Sequence, residues 1–263
     1  MKIHCTGITD KGIQRSANQD FYFVQETPFI TNENNSFLFI LADGMGGHAA
    51  GEVASRLAVT TAKHFILNAK ITASSENIDS IITGAIEEAN ETVWTLGQEK
   101  EGCEGMGTTL IIGIIVEDIL YLGNVGDSRG YTMRGNTLTQ ETRDHSLVAE
   151  QVRLGIITKD QAFKHPCRHL INRAVGVREF VKSDIFKVKL QPNDVILLCS
   201  DGLVDYVPED DFQPSLMKDT EMEIQAKELV DLANKGGGGD NITAILVKVL
   251  EEKGTNNGSG ANK

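Results

Sequence analysis

Phe37-Leu38-Phe39-Ile40-Leu41-Ala42-Asp43-Gly44-Met45-Gly46-Gly47-His48 is the stretch that decides the fold. Six apolar residues end abruptly at a carboxylate, and glycines follow at once. A short apolar run bounded by turn residues predicts a strand that is buried on both faces. The strand delivers Asp43 to the rim of a sheet, where Gly44, lacking a Cβ, lets the backbone approach a ligand closely. A mainly apolar pattern then recurs every four positions and predicts a helix: Val53, Leu57, Thr61 and Phe65.

The same design occurs twice more in the chain. The apolar run 195–199 ends at Ser200 and is followed by Asp201 and Gly202, and the glycine run 236–239 precedes Asp240 and a last strand. Hard cations such as Mg²⁺ or Mn²⁺ prefer carboxylate and carbonyl oxygens. A single Asp-Gly pair is more often a simple turn. With three such carboxylates at buried strand ends, the turns and a shared metal site are about equally well supported by these residues alone.

Composition limits the classes of function. The net charge of −12 argues against nucleic acid or an anionic membrane as the main partner, although it also serves solubility. The longest apolar stretches have strand length, well below the roughly 20 residues of a membrane span, and no signal peptide is predicted. The cysteines, at positions 5, 103, 167 and 199, form no C-x-x-C pair. Free thiols are expected, and with them a soluble cytoplasmic protein.

The rest of the chain predicts a layered α+β domain. A helix is expected over about 50–70, and an amphipathic stripe from Ile78 to Leu96 predicts a second. Strand-like runs follow at 107–116, 119–125, 180–190 and 194–200, with short helices at 209–218 and 221–233. Strands that flank helices without regular βαβ alternation favour antiparallel sheets.

Three polar features lie outside the Asp-Gly turns. Arg15 has the planar fork of donors that suits phosphate oxygens, although a lone loop arginine is usually a solvated surface group. Asp127 is a fourth carboxylate at a strand junction. The segment 159–178 is basic within an acidic protein. An exposed loop and a rim for anionic substrates explain this segment equally well.

Seven of these motifs, taken in order, resemble those of the type 2C protein phosphatases, which are metal-dependent serine/threonine phosphatases. They span about residues 7–249, and their register rather than any one of them makes the resemblance specific. The motifs are Arg15-x-x-Asn18-Gln19-Asp20, Ala42-Asp43-Gly44-Met45-Gly46-Gly47, Gly107-Thr108-Thr109, Gly126-Asp127-Ser128-Arg129, Asp144-His145-Ser146, Ser200-Asp201-Gly202-Leu203 and Gly239-Asp240-Asn241-Ile242-Thr243.

The resemblance implies a four-layer αββα sandwich, in which two antiparallel sheets lie between helices, with two Mn²⁺ or Mg²⁺ ions at one end. It implies that Asp43 bridges both ions and that the Gly44 carbonyl binds one of them. The remaining implied roles are metal binding by Asp201 and Asp240, support of the second ion by Asp20, a third metal site at Asp127 with Asp201, and phosphate binding by Arg15.

The resemblance also implies a domain organisation: one catalytic domain over 1–250 with a flap at 146–180. Residues 251–263 lack apolar side chains and are expected to form a disordered tail. Many eukaryotic members have a histidine directly after the Asp-Gly, proposed as general acid, where this chain has Met45, as many bacterial members do. Because methionine donates no proton, metal-bound water, His48 or His145 must protonate the leaving group.

The function expected is hydrolysis of phosphoserine and phosphothreonine on proteins, by direct attack of a hydroxide that bridges the two ions. The partners expected are phosphorylated proteins and a cognate bacterial serine/threonine kinase, and a monomer is expected. An alternative is a non-catalytic phosphoprotein-binding module on the same fold, which should have lost the metal carboxylates that this chain retains. A structural Ca²⁺-binding domain is a third reading, disfavoured by Arg15.

Overall fold

The computed structural model describes residues 2–25, 29–31, 34–47, 50–69 and 75–251. These residues form twelve strands and seven helices, numbered here in the order in which they occur along the chain. The strands are β1 (Lys2–Asp10), β2 (Asp20–Val24), β3 (Phe29–Thr31), β4 (Asn34–Met45), β5 (Gly107–Thr108), β6 (Leu110–Val116), β7 (Ile119–Val125), β8 (Arg129–Arg134), β9 (Thr137–Gln140), β10 (Asp184–Lys189), β11 (Val195–Cys199) and β12 (Ile242–Leu250). The helices are α1 (Ala50–Asn68), α2 (Ser75–Glu99), α3 (Leu147–Arg153), α4 (Lys159–Phe163), α5 (Asp201–Val204), α6 (Glu209–Leu216) and α7 (Met222–Lys235).

Two antiparallel sheets make up the two inner layers. One sheet has the strand order β10-β7-β6-β4-β2, with β3 and β5 also paired to β4. The other has the order β1-β12-β11-β8-β9. Helices α1 and α2 cover the first sheet, and α5, α6 and α7 cover the second. The predicted αββα sandwich is therefore confirmed.

Strand β4 shows how the sequence alternation builds these layers. Residues 37–42 are buried, all at 4% exposure or less, as predicted for a strand covered on both faces. Leu38 and Ile40 belong to the core under α1 and α2, whereas Phe39 and Leu41 belong to the core between the sheets. Because side chains alternate along a strand, Asp43 lies on the same face as Leu41, which is the face toward the second sheet.

Several predicted boundaries were wrong. Strand β4 continues three residues past Ala42, because Gly44 and Met45 pair with Thr108 and Gly107. The run 107–116 is two strands, since Thr109 leaves the ladder to bind the backbone of Asp43. The strand predicted over 180–190 begins only at Asp184.

The helix predicted after Asp43 is confirmed as α1, but the residues that it buries most deeply are not those of the stripe that predicted it. The stripe of Val53, Leu57, Thr61 and Phe65 is only partly buried, and Phe65 is 37% exposed. The buried face consists mostly of small residues, with Val59 and Ile66 as its two larger side chains; the small ones include Ala54, Ser55, Ala58 and Ala62. Small side chains let a helix lie close to the sheet beneath it, which residue hydrophobicity alone does not reveal.

The cysteines and the character of the helices can be compared with what the sequence predicted. All four cysteines keep their thiols outside any disulfide, as predicted; Cys103 and Cys199 are buried, and the other two are half-buried. Among the described helices, none combines the length and the apolar character that crossing a membrane requires.

Candidate metal centre

Asp20 and Asp43 lie directly opposite each other at one end of the first sheet. They are register partners in the antiparallel pair of β2 and β4. Directly opposite residues of such a pair have Cβ atoms roughly 5 Å apart and point to the same face. The register therefore brings two carboxylates together on the face toward the second sheet.

The second sheet contributes Asp201 and Asp240 at the same end. Asp201 is the first residue of α5, directly after β11, and Asp240 precedes β12, the neighbour of β11. Asp20 joins the sheets here, since its Oδ2 accepts hydrogen bonds from Ser200 Oγ at 2.8 Å and Thr243 Oγ1 at 2.6 Å. Because β11 and β12 are antiparallel neighbours, the C-terminal end of β11 lies beside the N-terminal end of β12, and these carboxylates lie at one edge, as the family resemblance implied.

Thr109 positions both Asp43 and the loop of Asp127. Its hydroxyl accepts the Asp43 N–H at 2.9 Å, and its own N–H donates to the Asp43 carbonyl at 2.9 Å. The same hydroxyl shares a 2.7 Å hydrogen bond with Ser128 Oγ. Asp127, the neighbour of Ser128, is buried in the turn between β7 and β8. Asp127 is thereby fixed close enough to Asp43 for their charges to interact.

The fold keeps these carboxylates close together although their negative charges repel one another. Burial raises the pKa of Asp43 well above its ordinary value, and the charges of Asp20, Asp201, Asp127 and Asp240 raise it further. Burial also raises the pKa of Asp20 to about 6 and that of Asp127 to about 7. The pKa of Asp201 is raised well above the ordinary range, first by burial and then by Asp127 and Asp205. Such a cluster is costly when ionised unless a cation neutralises it.

Two oxygens of the cluster are free to bind a cation. Asp20 Oδ1 and Asp201 Oδ1 are buried and have no hydrogen-bond partner among the described residues. Buried polar atoms are nearly always paired, so unpaired ones at a site need an explanation such as an ion. All-oxygen donors and an excess of negative charge fit hard divalent cations such as Mg²⁺ and Mn²⁺. The donor set thus suits the cofactor that the sequence predicted.

Gly44 holds its backbone in a space that no other residue could occupy. A Cβ at this position would lie 2.0 Å from the Gly51 carbonyl oxygen of helix α1. The Gly44 N–H donates to the Gln19 carbonyl at 3.1 Å. Helix, loop and strand therefore meet at the glycine beside Asp43, which explains why a glycine is needed there.

Arg15 lies at the rim of the cluster. Its Nη2 donates to Asp240 Oδ2 at 2.7 Å, and its Nε donates to the Gly239 carbonyl at 3.2 Å. The side chain is 51% exposed, and Nη1 makes no hydrogen bond to a described residue. A guanidinium held this way presents positive charge to solvent directly above the carboxylates.

Asp205, which none of the sequence motifs singled out, connects the flap to the centre. Asp205 Oδ2 contacts His169 Nδ1 at 2.9 Å and Arg168 Nε at 3.3 Å. One donor atom from each of His169, Asp201 and Asp205 lies within 4.8 Å of the others. The available signal was the spacing of four residues between Asp201 and Asp205, which would place both carboxylates on one face of a helix if a helix began at Asp201.

Of the two histidines considered as general acids, the structure describes only His145. His145 is buried, and its Nδ1 accepts the Gly126 N–H at 3.1 Å. Its Nε2 lies 3.2 Å from Asp184 Oδ2, so both ring nitrogens are engaged within the protein. Burial lowers the pKa of His145, which favours a neutral ring. His48 lies outside the described residues.

Comparisons with known proteins match this chain to one family and to one fold. The family profile described as Protein phosphatase 2C matches residues 12–233. The chain is 39% identical over 253 residues to the serine/threonine phosphatase stp of Listeria welshimeri, covering 96% of this chain and 98% of the relative. Among solved structures, the serine/threonine phosphatase Stp1 of Staphylococcus aureus superposes with a TM-score of 0.87 at 33% identity, covering 95% and 96% of the two chains. The catalytic domain of the serine/threonine protein phosphatase PstP, solved with two manganese ions, has a TM-score of 0.81 at 32% identity and covers 95% and 99%.

Proposed function

The chain belongs to the protein phosphatase 2C family of metal-dependent serine/threonine phosphatases, and we propose that its acidic centre is where it hydrolyses phosphoserine and phosphothreonine on proteins. The observation that carries this proposal is the convergence of Asp20, Asp43, Asp201 and Asp240 from two sheets. Their buried and partly unpaired oxygens supply what a pair of divalent cations requires.

The proposed ligands follow the positions of the side chains. Asp43 would contact both ions, the Gly44 carbonyl one of them, and Asp201 with Asp240 the other. Asp20 would support the second ion through its unpaired Oδ1, and Asp127 with Asp201 would form a third site. Bound Mn²⁺ or Mg²⁺ activates water for attack on phosphorus and neutralises phosphate oxygens. The two manganese ions in PstP support this choice of metal.

The protein's own groups bind and orient the phosphate. Arg15 is the only one of the six predicted side-chain groups that is cationic, and its fork can bind two phosphate oxygens at once. Its ion pair with Asp240 holds the guanidinium over the centre before substrate arrives. Hydrogen bonds to the Asp20 carboxylate and to the Asp43 backbone hold these residues in place, so little reorganisation is needed during the reaction.

The leaving alkoxide needs a proton, and solvent is the proposed source. Met45 lies two residues beyond Asp43 and cannot donate one. His145 has both ring nitrogens engaged by Gly126 and Asp184. We therefore assign no described side chain the role of general acid.

The finer biological setting is also a proposal. The substrates are phosphorylated proteins, and the enzyme opposes a cognate serine/threonine kinase in the cytoplasm as a monomer. Cysteines that form no disulfide, together with the negative net charge, support the cytoplasmic location. Residues 1–250 form one catalytic domain with a flap at 146–180, and the tail beyond 251 lies outside the described residues.

A metal-dependence assay tests the function directly. p-Nitrophenyl phosphate and a phosphothreonine peptide should be hydrolysed with Mn²⁺, and EDTA should stop both reactions. A non-catalytic binding module would retain the phosphopeptide without hydrolysing it. A structural Ca²⁺ domain would show metal-dependent melting and no hydrolysis, and either result would refute the proposal.

A further inference from the structure

A groove of about 380 Å³ lies beside the centre. Met45 forms one side of it, and residues within 171–182 form the other. Met45 follows Asp43 by two residues on β4, so both side chains lie on one face of the strand, about 7 Å apart along it. An extended peptide advances roughly 3.3–3.6 Å per residue. A residue two positions from a phosphorylated side chain at the centre would therefore reach the groove.

The far wall of the groove is held in place by buried hydrogen bonds. Val175 and Thr108 exchange two backbone hydrogen bonds, at 3.0 Å and 2.9 Å. The buried Asn90 of α2 donates to the carbonyls of Arg178 and Glu179 at 3.0 Å and 2.9 Å. Its Oδ1 accepts the Gly176 N–H at 2.9 Å. A preformed wall loses little conformational entropy when a ligand binds.

The floor joins the two sides of the groove. A Cβ on Gly107 would lie 2.7 Å from both Met45 Cε and Val177 Cγ2, so these two side chains meet over Gly107. Val177 is nevertheless 43% exposed, and Phe180, further along the wall, is 82% exposed. Exposed apolar side chains that line a groove mark a site for a ligand rather than ordinary surface.

The far wall of the groove carries positively charged side chains that are not neutralised by carboxylates of the described residues. Arg178 and Lys182 line the groove, are exposed, and have no carboxylate partner among the described residues. Arg173 also lines it but pairs with Asp184 at 2.9 Å. Glu179, the acidic residue of this segment, is exposed and does not line the groove. In a chain of net charge −12, two free cations at one groove favour an acidic ligand.

We propose that this groove binds the polypeptide of the phosphoprotein substrate and selects phosphorylated residues that have an acidic side chain about two positions away. Arg178 and Lys182 attract that acidic side chain, and Val177 and Phe180 contact the apolar part of the peptide. This inference rests on the proposed function, because it uses the acidic centre to place the phosphate.

Paired phosphothreonine peptides test the selection. The peptides share length and sequence, except that one has glutamate and the other alanine two positions before and after the phosphothreonine. Wild-type enzyme should show a kcat/KM about two- to fivefold higher for the acidic peptide, the range expected of exposed ion pairs, and salt should reduce the preference. Arg178→Glu should reverse the preference.

A matched control separates groove charge from total charge. Lys2→Glu makes the same change of charge at the exposed far end of β1, opposite Leu250 and away from the centre. This variant should keep the wild-type preference. Phe180→Ala should raise KM for both peptides equally and leave their ratio unchanged. Fluorescence anisotropy with peptides carrying a non-hydrolysable phosphonate should reproduce the order of affinities.

The possible outcomes test the selection by the groove separately from the proposed phosphatase function. No hydrolysis of p-nitrophenyl phosphate by the wild type would refute the phosphatase function and the inference with it. Active wild-type enzyme with equal kcat/KM for both peptides, or an unchanged preference in Arg178→Glu, would refute the inference alone. Competition by a peptide of residues 252–263, or activity that falls as enzyme concentration rises, would assign the groove to the chain's own tail or a second copy and overturn the proposal.

Discussion

Thr243 donates a 2.6 Å hydrogen bond to Asp20 across the interface of the two sheets. Thr243 is fully buried on β12, and its hydroxyl also contacts the Thr9 hydroxyl at 2.7 Å. Asp20 is on β2 of the other sheet, so one hydroxyl couples the packing of the sheets to the position of a carboxylate. The metal centre is therefore part of what holds the sandwich together.

Thr243→Val should test this coupling. Valine keeps the shape but removes the hydroxyl, so Asp20 loses one of its two donors while it stays buried. The metal-free protein should lose roughly 1–3 kcal/mol of unfolding free energy, measured by urea unfolding in EDTA, and its Mn²⁺ affinity should fall.

Thr132→Val is the matched control. Thr132 is buried on β8, and its hydroxyl has no hydrogen-bond partner among the described residues. Replacing an unpaired buried hydroxyl by a methyl group should be neutral or stabilising. Equal losses in Thr243→Val and Thr132→Val would show that the bond to Asp20 contributes nothing specific.

Asp43→Asn should abolish Mn²⁺-dependent hydrolysis. Asparagine keeps the volume but removes the charge at the position proposed to contact both ions, and isothermal titration should show weakened Mn²⁺ binding. Asp194→Asn is the control, because Asp194 is a buried aspartate that pairs with Arg134 at 2.7 Å, away from the centre. It should lower stability and leave metal-dependent turnover intact. Full activity in Asp43→Asn would contradict the proposed ligand.

Arg15→Ala should weaken phosphate binding more than it slows turnover. Hydrogen bonds to charged groups contribute about 1.5–3 kcal/mol, so KM for p-nitrophenyl phosphate and the inhibition constant of inorganic phosphate should rise by at least about tenfold. Arg153→Ala is the control: Arg153 is 53% exposed and paired to Glu150, much as Arg15 is paired to Asp240. An unchanged KM in Arg15→Ala would remove Arg15 from the phosphate site.

The elements predictable from sequence were those set by long, unambiguous patterns. The apolar run before Asp43 predicted a buried strand. The repeated Asp-Gly boundaries left turns and a shared metal site equally well supported, and the resemblance to the type 2C phosphatases implied that the carboxylates converge. Periodicity could not predict which face of α1 is buried, because alanines that permit close packing carry little hydrophobic signal.

Contacts between distant segments were beyond the reach of pattern reasoning. The contact of His169 with Asp205, and the support of Asp43 by Thr109, depend on how loops fold back over the sheets. The groove beside Met45 exists because Asn90, on a helix far away in sequence, holds the backbone of the segment 176–179. No local pattern encodes these tertiary hydrogen bonds.

The pH dependence of the metal-free protein should be opposite to that of most folded proteins near neutrality. Burial raises the pKa of Asp20 to about 6 and of Asp127 to about 7, against an ordinary value of 3.8. Between the ordinary pKa of the unfolded chain and the raised pKa values of the folded protein, the folded protein holds protons that the unfolded chain has released. The unfolding free energy therefore falls as pH rises through this range. From about pH 5 to about pH 7.5 the unfolding free energy in EDTA should drop by roughly 2–4 kcal/mol.

Divalent metal should remove this dependence, because a bound cation replaces the protons as the neutralising charge. Urea unfolding at both pH values, in EDTA and in excess Mg²⁺, measures the effect. Asp127→Asn provides the matched variant: it removes one of the two titrating groups, so the metal-free protein should lose less stability as pH rises. If stability in EDTA instead increased from about pH 5 to about pH 7.5, the carboxylates could not be held protonated by burial, and the electrostatic basis of the centre would be wrong.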